Sequence, residues 1–122
     1  MTNAISWFEL PVVDLARAQR FYETVLGASL RAETFTGLPM AIFPAKDGVG
    51  GALVKGERFK PSNDGAVVYL SVDGALDRCV ERVERAGGRV VQPRTDIGEP
   101  GHIAVILDTE GNRVGLHDGQ RG

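Results

Sequence analysis

Five side chains have the chemistry to bind or transform a small molecule: Trp7, Glu9, Tyr69, His102 and His117. A carboxylate beside an imidazole can fix the ring tautomer and stabilise its cation, the arrangement that acid–base chemistry near neutral pH uses. Glu9 and His117 are therefore the candidate catalytic pair. Trp7 and Tyr69 offer flat surfaces on which a ligand can stack, and His102, after the turn-like Glu99-Pro100-Gly101, is a candidate ligand contact at a rim. Each also has an ordinary structural use: Glu9 bonded to backbone or an arginine, Tyr69 as core with its hydroxyl at the edge, the histidines solvated. Other chemistries have less support. Gly48-Val49-Gly50-Gly51 runs into the strand-like Ala52-Leu53-Val54 and not into a helix N-terminus, so it reads as a turn and not as a phosphate cradle. Cys79 falls on an apolar helical stripe, where a thiol is core. Arg17, Arg20, Arg78 and the Glu81/Arg85 pair read as decoration of exposed helix faces.

Alternation and helical spacing place these groups. Phe8, Leu10 and Val12 form one face of a half-buried strand, with Trp7, Glu9 and Pro11 on the other. Asp14 is suited to cap a helix carrying Leu15, Ala18, Tyr22, Val25 and Leu26, which Gly27 stops. Three strand segments follow: 28–33, 38–45 and 50–56. After a polar connector over 57–65 the same order begins again. Val68, Leu70 and Val72 take the register of Phe8, Leu10 and Val12. Asp73 is the expected cap of a helix carrying Leu76, Cys79, Val83 and Ala86, with a stop at Gly87-Gly88. Strands are expected over 89–92, 102–108 and 113–118. A shift of 63 lays Lys46–Gly56 over Thr109–Gly119, matching Asp47 with Glu110 and Gly48 with Gly111. The expected organisation is one α+β domain over 1–122, with βαβββ modules at about 5–56 and 66–119. Each helix covers one sheet face and leaves the other free to build a pocket.

The 14 basic and 16 acidic residues give a net charge of -2, without the excess that neutralises a phosphate backbone, so nucleic acid is not an expected partner. The single cysteine cannot form an intrachain disulfide, and no basic, then apolar, leader opens the sequence. The longest aliphatic run, Ile103–Leu107, falls far short of the roughly 20 residues that span a bilayer. A cytoplasmic protein without a membrane segment is expected.

The run Phe8-Glu9-Leu10-Pro11-Val12-Val13-Asp14-Leu15, then Ala18, Phe21-Tyr22, Val25-Leu26-Gly27 and Ala86-Gly87-Gly88, and finally the run from Asp108 to Leu116, together resemble the vicinal oxygen chelate superfamily. This is the glyoxalase, bleomycin-resistance and extradiol dioxygenase group. The resemblance covers nearly the whole chain. It implies paired βαβββ modules forming a cupped mixed β-sheet with helices on the outer face, and it implies a homodimer. In metal-dependent members, His and Glu ligands come from the first and last strand of each module. Aligned through Val12-Val13-Asp14-Leu15, those positions fall on Trp7, Val67, near Ala52 and on Gly115, which offer no ligand atoms. No metal and no other cofactor is therefore expected.

Glu9, Tyr69 and His117 share the phase of these positions and stand two residues away, one pleat repeat or about 6.5 to 7 Å. A sheet curled as the resemblance implies would let them converge. The expected function is binding of a small organic molecule in a metal-free cup, with Glu9 and His117 as acid–base groups. Three alternatives stand beside it. One is sequestration of a drug or metabolite without catalysis, on Trp7 and Tyr69. Another is a metal-dependent lyase, isomerase or dioxygenase with ligands relocated to Glu9, His117 and His102. The third is a partner-binding module with a vestigial cup. The sequence does not choose between catalysis and sequestration.

Overall fold

A computed structural model describes residues 3–120. In chain order the elements are β1 (Trp7–Pro11), α1 (Leu15–Leu26), β2 (Arg31–Phe35), β3 (Leu38–Ile42), β4 (Gly50–Val54), β5 (Val68–Ser71), α2 (Leu76–Val83), β6 (Arg89–Asp96), β7 (His102–Leu107) and β8 (Arg113–Asp118). They form two four-stranded mixed sheets of equivalent order, β1-β4-β3-β2 and β5-β8-β7-β6. The outer strand of each, β1 or β5, runs parallel to the last strand of its own repeat. Glu9 pairs with Ala52 and Tyr69 with Gly115, so steps of 60 residues on the first strand and 63 on the last carry one pair onto the other.

Local signals explain most of the boundaries. The Asp14 side chain accepts from the Arg17 amide at 3.0 Å, and Gly27 ends α1 in the left-handed region at φ 67°. Thr36 and Gly37, at φ 49° and 80°, make the tight turn that sets Phe35 opposite Leu38. Strand β2 starts later than alternation suggested because Leu30 turns into the core, its amide held by the Glu23 carboxylate at 2.9 Å. Strand β6 runs beyond Gln92 because register shifts on either side of Gln92 accommodate Pro93, which has no amide to donate.

One cap differs from expectation. The N-cap of α2 is Ala75, without a side-chain bond, and Asp73 instead accepts from the Gly119 amide at 2.7 Å. The left-handed Gly74 and the bond from the Ala75 amide to the Val72 carbonyl form a turn that leaves Asp73 two residues ahead of the cap position.

A single hydrophobic core joins both repeats. Leu10 from β1 and Val12 just after it, Leu70 from β5 and Val72 just after it, Phe21 from α1 and Leu76 from α2 are all buried in it. The opposite face of the first sheet carries a smaller cluster, Met40, Ile42, Ala52 and Val54, and Phe59 of the connector packs against it. Polar bonds fasten the repeats where the β7–β8 turn meets the start of α1. The Tyr22 hydroxyl donates to Asp108 at 2.6 Å, and the Asn112 side-chain amide donates to the Pro11 carbonyl at 2.7 Å. Glu110 accepts from the amides of Val13 and Asp14 at 2.8 and 2.9 Å and from Arg17 Nε at 2.8 Å. Arg17 is thus part of this clasp and not surface decoration. Burial, and then the Asp108 charge, push the Tyr22 hydroxyl far above its ordinary pKa and keep it a donor.

Candidate functional site

The strand phases decide which side chains the helices leave uncovered. Leu10, Leu70 and Leu116 enter the shared core, so Glu9, Tyr69, Gly115 and His117 lie on the faces away from the helices. Trp7 is 44% exposed and Tyr69 48%, unusual for large aromatics and enough to make both available to a ligand.

The Trp7 indole N–H donates to Glu9 at 3.3 Å, and the Trp7 ring lies beside Gly50 of β4. The ring of Tyr69 lies directly over Gly115, where a Cβ would collide with it. Ser71, two residues beyond Tyr69, stands opposite His117. His117 Nε2 is 2.7 Å from the Pro100 carbonyl, which can only accept, so this nitrogen carries the hydrogen and Nδ1 presents a lone pair. The structure therefore brings Trp7 to Glu9 and Tyr69 to Gly115. No hydrogen bond or ion pair joins Glu9 to His117 among the described residues; the two stand on separate sheets, and neither lines the cavities described below.

His102 stands apart. It pairs with Asp118 and is one residue out of phase with His117, which lies opposite Ile103. It lines a cavity of about 360 Å³ at the start of α2 with Asp77, Arg78, Arg94 and Asp118. Its Nε2 is 3.9 Å from the Asp96 carboxylate, and its Nδ1 is buried without a hydrogen-bond partner. Bonding to the Gln120 amide lowers the Asp118 pKa against the effect of burial, helped by the Gly74 amide and the charges of Arg94 and His102.

The residues at the four positions where the resemblance places metal ligands do not fit a divalent cation. Trp7, Ala52, Val67 and Gly115 supply no donor side chain, and the Tyr69 ring fills the space a ligand at 115 would need. No group of three His, Cys, Asp or Glu side chains is placed to hold a metal ion among the described residues.

Sequence reasoning missed two features. One is the clasp. The other is a cleft of about 990 Å³ between the β3–β4 turn and the edge of β5 with α2. A signal for both was present, because the 63-residue overlay sets Ala45 against Asp108 and Val49 against Asn112.

No helix among the described residues is long and apolar enough to cross a membrane. Residues 4–116 match the profile of the Glyoxalase/Bleomycin resistance protein/Dioxygenase superfamily. A "Glyoxylase-like domain-containing protein" of Didymella fabae is 32% identical over 88% of this chain and 88% of its own length. The "Putative glyoxylase CFP32" of Mycobacterium bovis is 30% identical over 95% of this chain, which spans 46% of that relative. Among solved structures, the fosfomycin resistance protein FosX of Mesorhizobium loti superposes with a TM-score of 0.67 at 26% identity, over 98% of this chain and 94% of that one.

Proposed function

The chain belongs to the glyoxalase, bleomycin resistance protein and dioxygenase superfamily, and we propose that it binds a small organic molecule on the uncovered sheet face without a metal ion. The observation that carries the reading is the pair of half-exposed aromatics, Trp7 and Tyr69, at and beside positions where the resemblance puts metal ligands. A planar ligand stacks on these rings, and the Glu9 carboxylate, oriented by the Trp7 indole, accepts a hydrogen bond from it. In a turnover step, Nδ1 of His117 takes a proton from the ligand. The resulting imidazolium keeps its Nε2–H bond to the Pro100 carbonyl, which holds the ring in place. Sequestration without turnover is the second reading, favoured by the absence of a Glu9–His117 bond among the described residues.

A thermal-shift screen of small organic compounds tests the site, because a ligand that binds only the folded state raises the melting temperature. Trp7→Ala and Tyr69→Ala are expected to weaken binding of the hits about tenfold each, as the loss of a stacking surface worth about 1 kcal/mol or more would do. Glu9→Gln and His117→Ala should change affinity or turnover while leaving stability within about 1 kcal/mol, since neither is core. Hits indifferent to both aromatics would sink the proposal, and so would one tightly held Zn, Ni, Fe or Mn per chain by elemental analysis.

The proposal includes a cytoplasmic homodimer, because two-fold pairing is the commonest way to close an open sheet face. Light scattering at micromolar concentration should give twice the 13.1 kDa chain mass, and the monomer mass would overturn this part.

A further inference from the structure

The clasp between the repeats is made only once. Carried back by 63 residues, the turn that forms it becomes the β3–β4 turn, with Ala45 in place of Asp108, Asp47 in place of Glu110 and Val49 in place of Asn112. Carried forward by 60, the receiving residues Tyr22 and Arg17 become Arg82 and Asp77. Ala45 has no side-chain oxygen to accept a hydrogen bond and Val49 has no side-chain amide to donate one. Asp47 would meet Asp77, a like charge. The second set of bonds cannot form, and the turn residues Ala45 and Val49 instead line the cleft of about 990 Å³.

Its walls are apolar. Phe8 and Phe43 line it from the first repeat, Val72, Ala75 and Cys79 from the second, and Val49 stands at its mouth, 36% exposed. Such walls give water few hydrogen-bond partners, and the volume lies within the range of small-molecule sites. Among the described lining residues Lys46 is the one charged side chain, and Asp47 beside it does not line the cleft.

We propose that this cleft is a second ligand site, bordering the aromatic sheet face at Tyr69, that takes a small apolar molecule with an anionic end, such as a medium-chain or aromatic carboxylate. The apolar part lies between Phe8 and Phe43 on one side and Val72 and Cys79 on the other, and the anionic end meets the Lys46 ammonium. Binding is non-covalent: Cys79 is 1% exposed and burial raises its thiol pKa, so the nucleophilic thiolate is disfavoured.

The test uses the full chain and 8-anilinonaphthalene-1-sulfonate, an apolar fluorescent anion. Saturable binding is expected, displaced by decanoate and only weakly by decanol. Lys46→Gln should weaken both anions about tenfold, as the loss of one charge-assisted contact would do. Val49→Trp should fill the cleft and abolish the signal, and Trp7→Ala, at a residue that does not line the cleft, should leave it unchanged, which distinguishes binding here from stacking on Trp7. Should Val49→Trp fail to fold by circular dichroism, Lys46→Gln and the decanoate–decanol comparison still decide the matter. No binding, equal displacement by decanol, indifference to Lys46→Gln, or loss of the signal in Trp7→Ala would each overturn the proposal. So would a signal that falls with rising protein concentration in step with dimer mass, because a second copy would then fill the cleft.

Discussion

Asp108→Ala is expected to lower the free energy of unfolding by about 3 to 5 kcal/mol, the cost of leaving several buried donors without their acceptor. The Asp108 carboxylate is only 5% exposed. It accepts from the Tyr22 hydroxyl at 2.6 Å, from the Glu110 and Asn112 amides at 2.8 and 2.9 Å, and from the Asn112 side chain at 3.1 Å. Alanine leaves all four donors in place and takes away their acceptor. Tyr22 is fully enclosed, so its hydroxyl has no route to water. Because Asn112 also holds the Pro11 carbonyl, the damage spreads from one turn to the contact between the repeats. Urea denaturation measures the loss as a lower midpoint at unchanged slope. Tyr22→Phe alone should cost about 1 kcal/mol, since it removes a donor while keeping the ring. In the double variant the two losses should sum to less than the singles, because the orphaned hydroxyl is gone as well. A loss below about 1 kcal/mol for Asp108→Ala would show that water replaces the carboxylate and that the clasp is not a stabilising device.

Why the sequence revealed the fold and not the clasp follows from the range of the interactions. Leu10 and Leu70 disclose the buried face because alternation is a property of neighbouring residues, and Gly27 discloses the end of α1 because a left-handed cap is a local requirement. Arg17 and Glu110 stand 93 positions apart, so nothing near Arg17 distinguishes it from a solvated helix residue. Asp73 shows the converse. Its type and place suit a helix cap, but the turn through Gly74 moves the cap position on and leaves the carboxylate for Gly119. The candidate site divides in the same way. The shared phase of Trp7 and Glu9 was legible, and their contact joins residues two apart. The phases of Tyr69 and His117 were legible too, but the partner of His117 is a loop carbonyl 17 residues away, which alternation cannot identify. Whether groups on separate sheets converge depends on how the sheets curve and meet, and a strand pattern carries no information about that.

The clasp also sets how the fold responds to acid. Burial alone would push the Glu110 carboxyl upward, but the Arg17 guanidinium, the amides of Asp14 and Val13 and the Thr109 hydroxyl outweigh it and hold the pKa at about 2, against an ordinary 4.5. In the unfolded chain these partners are absent. A carboxyl whose folded pKa lies below its unfolded one contributes stability that is complete above the unfolded value and is lost as pH falls through the folded value. The stabilisation from Glu110 should therefore be intact above about pH 5.5 and fade between 4.5 and about 2. Its upper bound is roughly 3 kcal/mol. The Glu110 side chain is fully enclosed while that of Arg17 is 46% exposed, so solvent screening of the pair brings the expected value to about 2 kcal/mol. Unfolding free energies measured from pH 7 to pH 2 for the native chain and for Glu110→Gln supply the test. The two curves should lie about 2 kcal/mol apart at neutral pH and converge as the acid limit is approached, since protonation removes from the native chain what the amide never had. Other carboxyls, including Asp118 with its lowered pKa, add an acid slope common to both proteins, so the separation between the curves is the quantity to follow. A separation that stays constant down to pH 2 would mean that Glu110 acts through packing and hydrogen-bond geometry. Its charge would then contribute nothing to holding the two repeats together.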